Sequence, residues 1–184
     1  MIIAITGPIL SGKEEAAQYL SKHGFKWLSL SKIIRDIAQE RKIDPTRYNL
    51  KKLGNDLINE SPIKSILAQR ALDQIKKEGD KNIVIEGLRD IQTIEDLKKG
   101  TDRFILIGID APLELRYDRC RKRNRKSDPQ TFEEFTDLDD SENYDLNIGQ
   151  RIYECMDMAD YTIINDSTLD DFYKRIDEVL VKLN

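Results

Sequence analysis

Short runs of apolar, mostly β-branched residues alternate with longer amphipathic stretches along almost the whole chain of 184 residues. Runs of this length with apolar centres are typical of strands that are covered on both faces of a sheet. Because each run is joined to the next through helical patterns, the order predicts an α/β fold with a parallel sheet wound on both faces. The predicted strands are residues 2–6, 25–30, 82–86, 103–110 and 161–165.

Two helices have recognisable ends in the sequence. The last helix is predicted to begin with Ser167 as its N-cap, and Asp170 would complete a capping box. An earlier helix is predicted to begin at Ser61, with Pro62 in its first turn and Gly79 just past its end.

Two segments are longer than a single connecting helix requires. Residues 31–79 predict two or three helices between the second and third strands, and residues 124–147 are polar without a convincing apolar period. Long excursions on an open α/β sheet are often lids or substrate-binding parts. We therefore expect one domain over residues 1–184 that carries both excursions.

The charge, cysteine and histidine content of the chain limit the kinds of function that it can have. The net charge of -4 and the pI of about 5.2 disfavour nucleic-acid binding over the whole surface, although a local basic patch remains compatible. Cys120 and Cys155 have neither metal-binding nor disulfide-framework spacing, which favours a reducing compartment, and a packed Cys120 is favoured over a reactive one. The single His23 excludes a histidine-based metal site. Residues 1–6 are too short for a signal core, so we expect a cytoplasmic protein without a membrane span.

A phosphate-binding loop is predicted directly after the first strand. The pattern G-x-x-x-x-G-K stands between that strand and a helical pattern, which is the structural context that the motif requires. Glycines bring backbone N–H groups close to phosphate oxygens, the helix adds its positive end, and the lysine adds a mobile cation. The alternative is a glycine turn with a surface lysine. The predicted loop residues are Gly7, Pro8, Ile9, Leu10, Ser11, Gly12 and Lys13.

The residues after the lysine depart from the usual loop. A Ser or Thr commonly follows the lysine and holds magnesium, whereas this chain has Glu14 and then Glu15. Glu14 would either coordinate magnesium or point outward as a favourable acid in the first helical turn. Glu86, at the end of the third predicted strand, offers a second carboxylate that could hold the metal through water.

Four further segments follow the loop in a recognisable order: "SLSKIIRDI" (29–37), "IVIEGLR" (83–89), "IDAPLELRYDRCRKR" (109–123) and "ADYTIINDSTLDDF" (159–172). With the loop, they resemble the P-loop nucleotide kinases, the group that includes adenylate kinase and dephospho-CoA kinase. The whole is also similar to small archaeal kinase-like proteins and to the P-loop domain associated with deoxycytidylate deaminases. The resemblance implies a five-stranded parallel sheet in the order 2-3-1-4-5, an acceptor-binding insertion at 31–79 and a lid at 124–147.

The resemblance also assigns roles on the acceptor side. Glu86 would organise magnesium through water, and Arg89 would clamp the phosphate of the acceptor. Arg35 would grip the same phosphate from the insertion. Gln92 would read the base of the acceptor.

On the side of the phosphate donor, the resemblance assigns two arginines four residues apart, which lie on one helix face. Arg119 would lie against the donor base and phosphates, and Arg123 would stabilise the phosphoryl group in flight. Arg125 and Lys126 would begin the lid, and Asn165 would lie near the donor adenine.

The implied reaction uses Mg²⁺ with ATP, or GTP, and a small phosphorylated acceptor, first of all a nucleoside or deoxynucleoside monophosphate. A dephospho-CoA kinase-like enzyme and a nucleotide-binding sensor with slow or no turnover remain as alternatives. Residues 116–126 carry seven basic side chains and would suit nucleic acid, but seven acids between Glu133 and Asp145 could neutralise them. The oligomeric state stays open.

Overall fold

The protein is described here by a computed structural model in which a five-stranded sheet lies between two layers of helices. The structure describes residues 1–61, 64–79, 81–125, 128–143 and 151–183.

The sheet confirms the predicted architecture. Its strands are β1 (Ile2–Thr6), β2 (Lys26–Ser29), β3 (Ile83–Leu88), β4 (Phe104–Asp110) and β5 (Tyr161–Ile164). All four pairings are parallel and give the order β2-β3-β1-β4-β5. All carboxyl ends therefore lie along one edge of the sheet, where a ligand site is expected in a fold of this kind.

The helices follow the strands in the expected alternation. They are α1 (Lys13–Lys22), α2 (Leu30–Glu40), α3 (Arg47–Glu60), α4 (Ile66–Glu78), α5 (Ile91–Lys99), α6 (Leu113–Arg123), α7 (Phe132–Asn143), α8 (Ile152–Asp157) and α9 (Leu169–Leu183). The long segment between β2 and β3 thus contains three helices, α2 to α4.

Strand β1 is buried throughout and alternates between two cores. Ile2 and Ala4 pack in a cluster with side chains of α2 to α5, whereas Ile3 and Ile5 pack in a cluster with side chains of α1 and α9. This two-residue period follows from the pleat of the strand. The edge that carries the loop after β1 is consequently fixed by both layers.

The prediction of Ser61 as an N-cap is wrong. Ser61 ends α3, and α4 begins after Ser65, whose hydroxyl accepts a hydrogen bond from the Ala68 amide at 3.2 Å. The same hydroxyl is 2.6 Å from that of Thr93 on α5, so contact with a neighbouring helix selects this serine. Pro62 lies outside the described residues, and Gly79 follows α4 as predicted.

The capping box of the last helix lies one residue further along than predicted. Thr168, and not Ser167, accepts the hydrogen bond from the amide of Asp171, at 3.2 Å. The Thr168 hydroxyl also donates to the Asp171 carboxylate at 2.7 Å, which replaces the predicted role of Asp170.

The segment 124–147 is more ordered than its polarity indicates, as far as it is described. It forms α7, which buries Phe135, Asp139, Glu142 and Asn143. Three of these four side chains are polar, so an apolar period could not reveal the buried face. Residues 126–127 and 144–147 lie outside the described residues.

No helix in the described ranges is long and apolar enough to cross a membrane. Both cysteines are buried, and Cys120 packs in an apolar cluster with Ile9 and Phe135. Cys120 is therefore a packed side chain, as the sequence favours.

Candidate active site

The loop after β1 has a backbone that its glycines permit. Gly7 and Gly12 have φ angles of 143° and 112°. A Cβ atom on Gly7 would lie 2.0 Å from the main-chain oxygen of Ile109, and one on Gly12 would lie 2.3 Å from Nδ2 of Asn165. Leu10 adopts a φ of 60°, a left-handed conformation that costs a leucine about 1–2 kcal/mol. Residues held in such rarely populated backbone conformations are concentrated at functional sites.

The first turn of α1 leaves hydrogen-bonding groups available to a ligand. Gly12 is its N-cap, and no side chain caps it. The first amides of a helix have no partner within the helix, and they carry its positive partial charge. The buried Ser11 hydroxyl also has no hydrogen-bond partner among the described residues. Together these groups suit a bound anion.

Lys13 lies over the loop and is held by it. Its ammonium group donates to the main-chain oxygen of Pro8 at 2.6 Å. Burial, and next the positive charge of Arg89, lower the pKa of Lys13 to about 7, although Glu142 and Glu86 act in the opposite direction. A bound phosphate would therefore stabilise the charged form of this lysine and raise its pKa.

Arg119 joins the loop to the segment after β5. Its guanidinium donates to the main-chain oxygens of Leu10 at 3.1 Å and Ser11 at 3.3 Å, and to that of Asn165 at 2.9 Å. The Asn165 side chain in turn donates to the oxygen of Ser11 at 2.8 Å. Burial and the nearby Arg116 lower the pKa of Arg119. The predicted donor-side residues Arg119 and Asn165 thus support the loop directly.

Arg123 lies one helical turn beyond Arg119 and faces the same cavity. It forms a two-point ion pair with Asp128, with distances of 3.0 and 2.6 Å. The hydrogen bonds that Arg123 donates to Asp128 raise the pKa of Arg123. The amide of Arg125 donates to the same carboxylate at 3.1 Å, so Asp128 organises the end of α6.

Glu86 ends the regular part of β3 and lies beside β2. Its carboxylate accepts a hydrogen bond of 2.5 Å from the hydroxyl of Ser29, which is also the N-cap of α2. Ile5 pairs with Glu86 and Thr6 pairs with Leu88, so Gly87 is an extra residue in the strand. Both Ser29 and Glu86 face the cavity.

Of the three residues predicted to bind the acceptor, Arg35 and Arg89 line the cavity. Arg35 is exposed on α2, and Arg89 donates to Glu142 of α7 at 3.1 Å. Gln92 does not belong to the described lining of this cavity, because it lies on α5 and donates to Asp96 at 2.9 Å. A role for Gln92 in reading a base is not supported by this position.

A buried ion pair fastens α7 beneath the loop. Arg116 and Asp139 expose 3% and 5% of their side chains, and two contacts of 2.5 and 2.8 Å join them. Arg116 also donates to the main-chain oxygens of Ala111 at 2.9 Å and Ile9 at 3.3 Å. The buried guanidinium of Arg116, which lies on α6, therefore binds both the loop and α7.

These groups surround one continuous cavity of about 1160 Å³. Its loop end is lined by Gly12, Lys13, Arg119, Arg123 and Asn165, and its insertion end by Trp27, Ser29, Arg35, Glu86 and Arg89. Pockets for one small ligand commonly have volumes of about 300–1,000 Å³, so a cavity of this volume has room for more than a single phosphate-bearing group.

The two acids after Lys13 differ in their surroundings. Glu14 is exposed and lines the cavity. Glu15 accepts a hydrogen bond from the hydroxyl of Tyr173 on α9, and this bond raises the pKa of Tyr173 to about 12. Both acids line the cavity, but Glu15 is hydrogen-bonded to α9, whereas Glu14 is exposed to it.

The donor set fits a metal that arrives with its ligand. The described residues contain no group of three or more His, Cys, Asp or Glu side chains that could hold a metal ion. Mg²⁺ commonly keeps several waters and uses one or two carboxylates together with substrate phosphates. Glu86 and Glu14 match that requirement.

The sequence analysis did not single out Ser29, Asp128, Asp139 or Glu142. Ser29 is the last residue of β2, at the edge of the sheet where the carboxyl ends of the strands lie, and this position is a signal that could have identified it. The other three are carboxylates in a strongly acidic segment, where sequence alone does not distinguish the paired ones. Neutralisation of the basic helix by the acids between Glu133 and Asp145 was anticipated, and Arg116 pairs with Asp139 among them. Arg123 pairs with Asp128, which precedes those acids.

Comparison with known proteins agrees with this geometry. Residues 3–145 match the model of a family described as an AAA domain. A UPF0200 protein of Pyrococcus abyssi is 34% identical over 188 residues, which cover 100% of this chain and 97% of the relative. A UPF0200/UPF0201 protein of Archaeoglobus fulgidus is 31% identical over 99% of this chain, which spans only 55% of that relative.

Solved structures show the same fold at low sequence identity. A shikimate kinase from Acinetobacter baumannii superposes with a TM-score of 0.60 at 18% identity, covering 100% of this chain and 94% of the kinase. A dephospho-CoA kinase from Campylobacter jejuni superposes with a TM-score of 0.55 at 21% identity, covering 100% and 97%. With its loop, its sheet order and these relatives, the chain belongs to the AAA-domain family as a UPF0200 protein with a P-loop kinase fold.

Proposed function

We propose that this protein transfers the γ-phosphoryl group of ATP, or of GTP, to a small phosphorylated acceptor in the cytoplasm. A nucleoside or deoxynucleoside monophosphate is the first candidate for the acceptor. The observation that best supports the proposal is the single cavity, which joins the uncapped loop at Lys13 to the arginines Arg35 and Arg89. Two anionic ligands would fit end to end along it.

At the loop end, the proposed roles follow from charge and position. The loop amides and Lys13 would bind the β- and γ-phosphates, and Arg119 would hold the loop in its bent form. Arg123 would give up its ion pair with Asp128, fully or in part, and would then offset negative charge on the transferring phosphoryl group. Such an arginine can be worth ~10³-fold in rate.

A magnesium ion that arrives with the nucleotide would supply charge neutralisation at the phosphates. Glu86 is proposed to hold it through water, and Glu14 is the second candidate. The hydroxyl of Ser29 fixes the Glu86 carboxylate in the cavity wall, which keeps the acid in one orientation.

At the insertion end, Arg35 and Arg89 would bind the phosphate of the acceptor. Apolar Ile34 and Leu50 line the same end of the cavity and could contact the rest of the molecule. The segments 31–79 and 124–147 thus remain the proposed acceptor-binding and lid regions.

Two other functions have specific support. A dephospho-CoA kinase-like reaction on a hydroxyl is favoured by the likeness of residues 159–172 to that group and by Glu86, which could accept a proton. Asn165 of that segment lies against the phosphate-binding loop. A nucleotide-binding module with little turnover is favoured by the pairing of Arg123 and Arg89 with carboxylates and by the acids after Lys13.

A panel of acceptors tests these functions directly. Purified protein with Mg-ATP or Mg-GTP is incubated with each nucleoside and deoxynucleoside monophosphate and with dephospho-CoA, and ADP or GDP release is measured. We expect one acceptor to stimulate release and the Lys13→Ala variant to abolish it. Tight ATP binding without any stimulated release would favour the non-catalytic module, and no nucleotide binding would refute the proposal.

A further inference from the structure

Helix α7 presents a carboxylate to the acceptor side of the cavity from a fixed position. Phe135 of α7 is fully buried, and Asp139 is held by the buried Arg116. Glu142 follows Asp139 by three residues, so both side chains project from one face of the helix. The ion pair between Arg116 and Asp139 therefore also fixes the direction of the Glu142 side chain.

Glu142 forms an ion pair with one cation of the proposed site and influences the pKa of a second. Its carboxylate is 3.1 Å from the guanidinium of Arg89 and exposes 6% of its side chain, whereas Arg89 exposes 34%. The charge of Arg89 lowers the pKa of Lys13, and the charge of Glu142 raises it; all three residues line the same cavity. The carboxylate thus lies at the junction between the loop end and the insertion end.

The charges along the cavity are nearly balanced. Among its described lining residues, seven side chains are basic and five are acidic, and Glu142 and Asp128 are two of the acids. A triphosphate and a phosphorylated acceptor would bring several negative charges into this space. A fixed carboxylate on Arg89 would compete with one of them, because like charges at short range repel strongly.

We propose that Glu142 is a specificity-determining residue that occupies Arg89 in place of the anionic group of the acceptor and thereby sets the affinity for that group. An acceptor phosphate must displace the carboxylate from Arg89, so weakly bound anions such as inorganic phosphate are discriminated against. This inference rests on the proposed function, since it places the acceptor phosphate at Arg89.

The variant that tests it is Glu142→Gln, which removes the charge and retains the shape. The matched control is Asp140→Asn, which removes the same charge from an exposed position two residues away on α7. Inorganic phosphate binding is measured by thermal-shift titration at constant ionic strength, with the protein alone and with saturating ADP in the loop.

We expect Glu142→Gln to bind phosphate about tenfold more tightly than the wild type and Asp140→Asn. The gain should disappear in the double variant Glu142→Gln with Arg89→Gln. Equal phosphate affinity in Glu142→Gln and Asp140→Asn, or a gain that survives loss of Arg89, would overturn the inference. If Glu142→Gln does not fold, Glu142→Asp shortens the reach to Arg89 and should give a smaller gain in the same direction; no gain would overturn the inference.

The two proposals fail in different ways. If ADP and ATP do not bind the wild type, the proposed function fails, while the titration without nucleotide still tests Glu142. If nucleotide binds and an acceptor is found, Glu142→Gln should lower the KM for that acceptor severalfold, a change that Asp140→Asn should not produce. A variant that lost kcat with an unchanged KM would indicate a structural role and would contradict the inference.

Discussion

The guanidinium of Arg119 donates to the main-chain oxygen of Leu10, 3.1 Å away, and Leu10 is the loop residue with a φ of 60°. A left-handed leucine persists only where its surroundings hold it. The contact therefore connects a strained bend with the residue that stabilises it.

Arg119→Ala should weaken nucleotide binding at least tenfold and destabilise the protein by about 2–3 kcal/mol, because hydrogen bonds from charged groups are worth roughly 1.5–3 kcal/mol each. Calorimetry with a non-hydrolysable ATP analogue measures the first effect, and urea unfolding the second. Lys122→Ala, an exposed change on the same helix, serves as the control. Unchanged affinity in Arg119→Ala would show that the loop keeps its shape without this arginine.

Nucleotide affinity should decrease as the pH rises above 7. Lys13 has a pKa of about 7 in the unliganded protein, and a bound triphosphate would raise it by favouring the charged form. Binding above pH 7 then takes up a proton, so affinity falls by up to about tenfold per pH unit, whereas below pH 7 the lysine is already protonated.

Calorimetric titrations at pH 6.5, 7.5 and 8.5 measure this dependence. Lys13→Arg is the matched variant, since its guanidinium stays charged throughout and leaves only the titration of the nucleotide itself. Parallel pH profiles for the wild type and Lys13→Arg would contradict the assignment.

Arg123→Ala should reduce kcat by about 10³-fold and change ATP affinity by less than tenfold, because the arginine is proposed to act on the phosphoryl group in flight. Steady-state kinetics with the acceptor identified in the panel give kcat, and calorimetry gives the Kd for ATP. Arg121→Ala, on the exposed side of α6, should leave both unchanged. Equal losses in kcat and in ATP binding would count against a role in the transition state.

Asp139→Asn should destabilise the protein by about 3–5 kcal/mol, because it leaves the buried Arg116 without its partner charge. Urea unfolding measures the change, and the exposed Asp140→Asn should stay within about 0.5 kcal/mol of the wild type. The double change Arg116→Met with Asp139→Leu should recover most of the loss. A cost below about 1 kcal/mol would mean that water or another group satisfies Arg116.

The loop and the sheet could be predicted because their signals are local. The glycine and lysine spacing, the strand that precedes it and the two arginines four apart on α6 are each contained in a few neighbouring residues. Sheet order came from the resemblance, and the structure agrees with it. Glu86, Arg35 and Arg89 were placed in the same way, and all three line the cavity.

The partners of these residues could not be predicted with the same means. Arg89 meets Glu142 and Arg116 meets Asp139 across 53 and 23 residues of sequence, so the choice among neighbouring acids depends on how α7 packs. The helix itself buries mainly polar side chains, and its apolar pattern is correspondingly weak. The N-caps of α4 and α9 were misplaced because neighbouring hydroxyl residues compete and tertiary contacts decide between them.

Gly87, which has no partner in the pairing of β1 with β3, determines the side of the sheet to which Glu86 and Arg89 point. In a regular strand, positions 86 and 89 would have opposite parity and point to opposite sides of the sheet. The skipped residue reverses that parity, so the acid and the arginine both reach the cavity wall. If Gly87 instead took a regular place in the ladder, Arg89 would turn toward the far side, which would separate the carboxylate proposed for the metal from the guanidinium proposed for the acceptor.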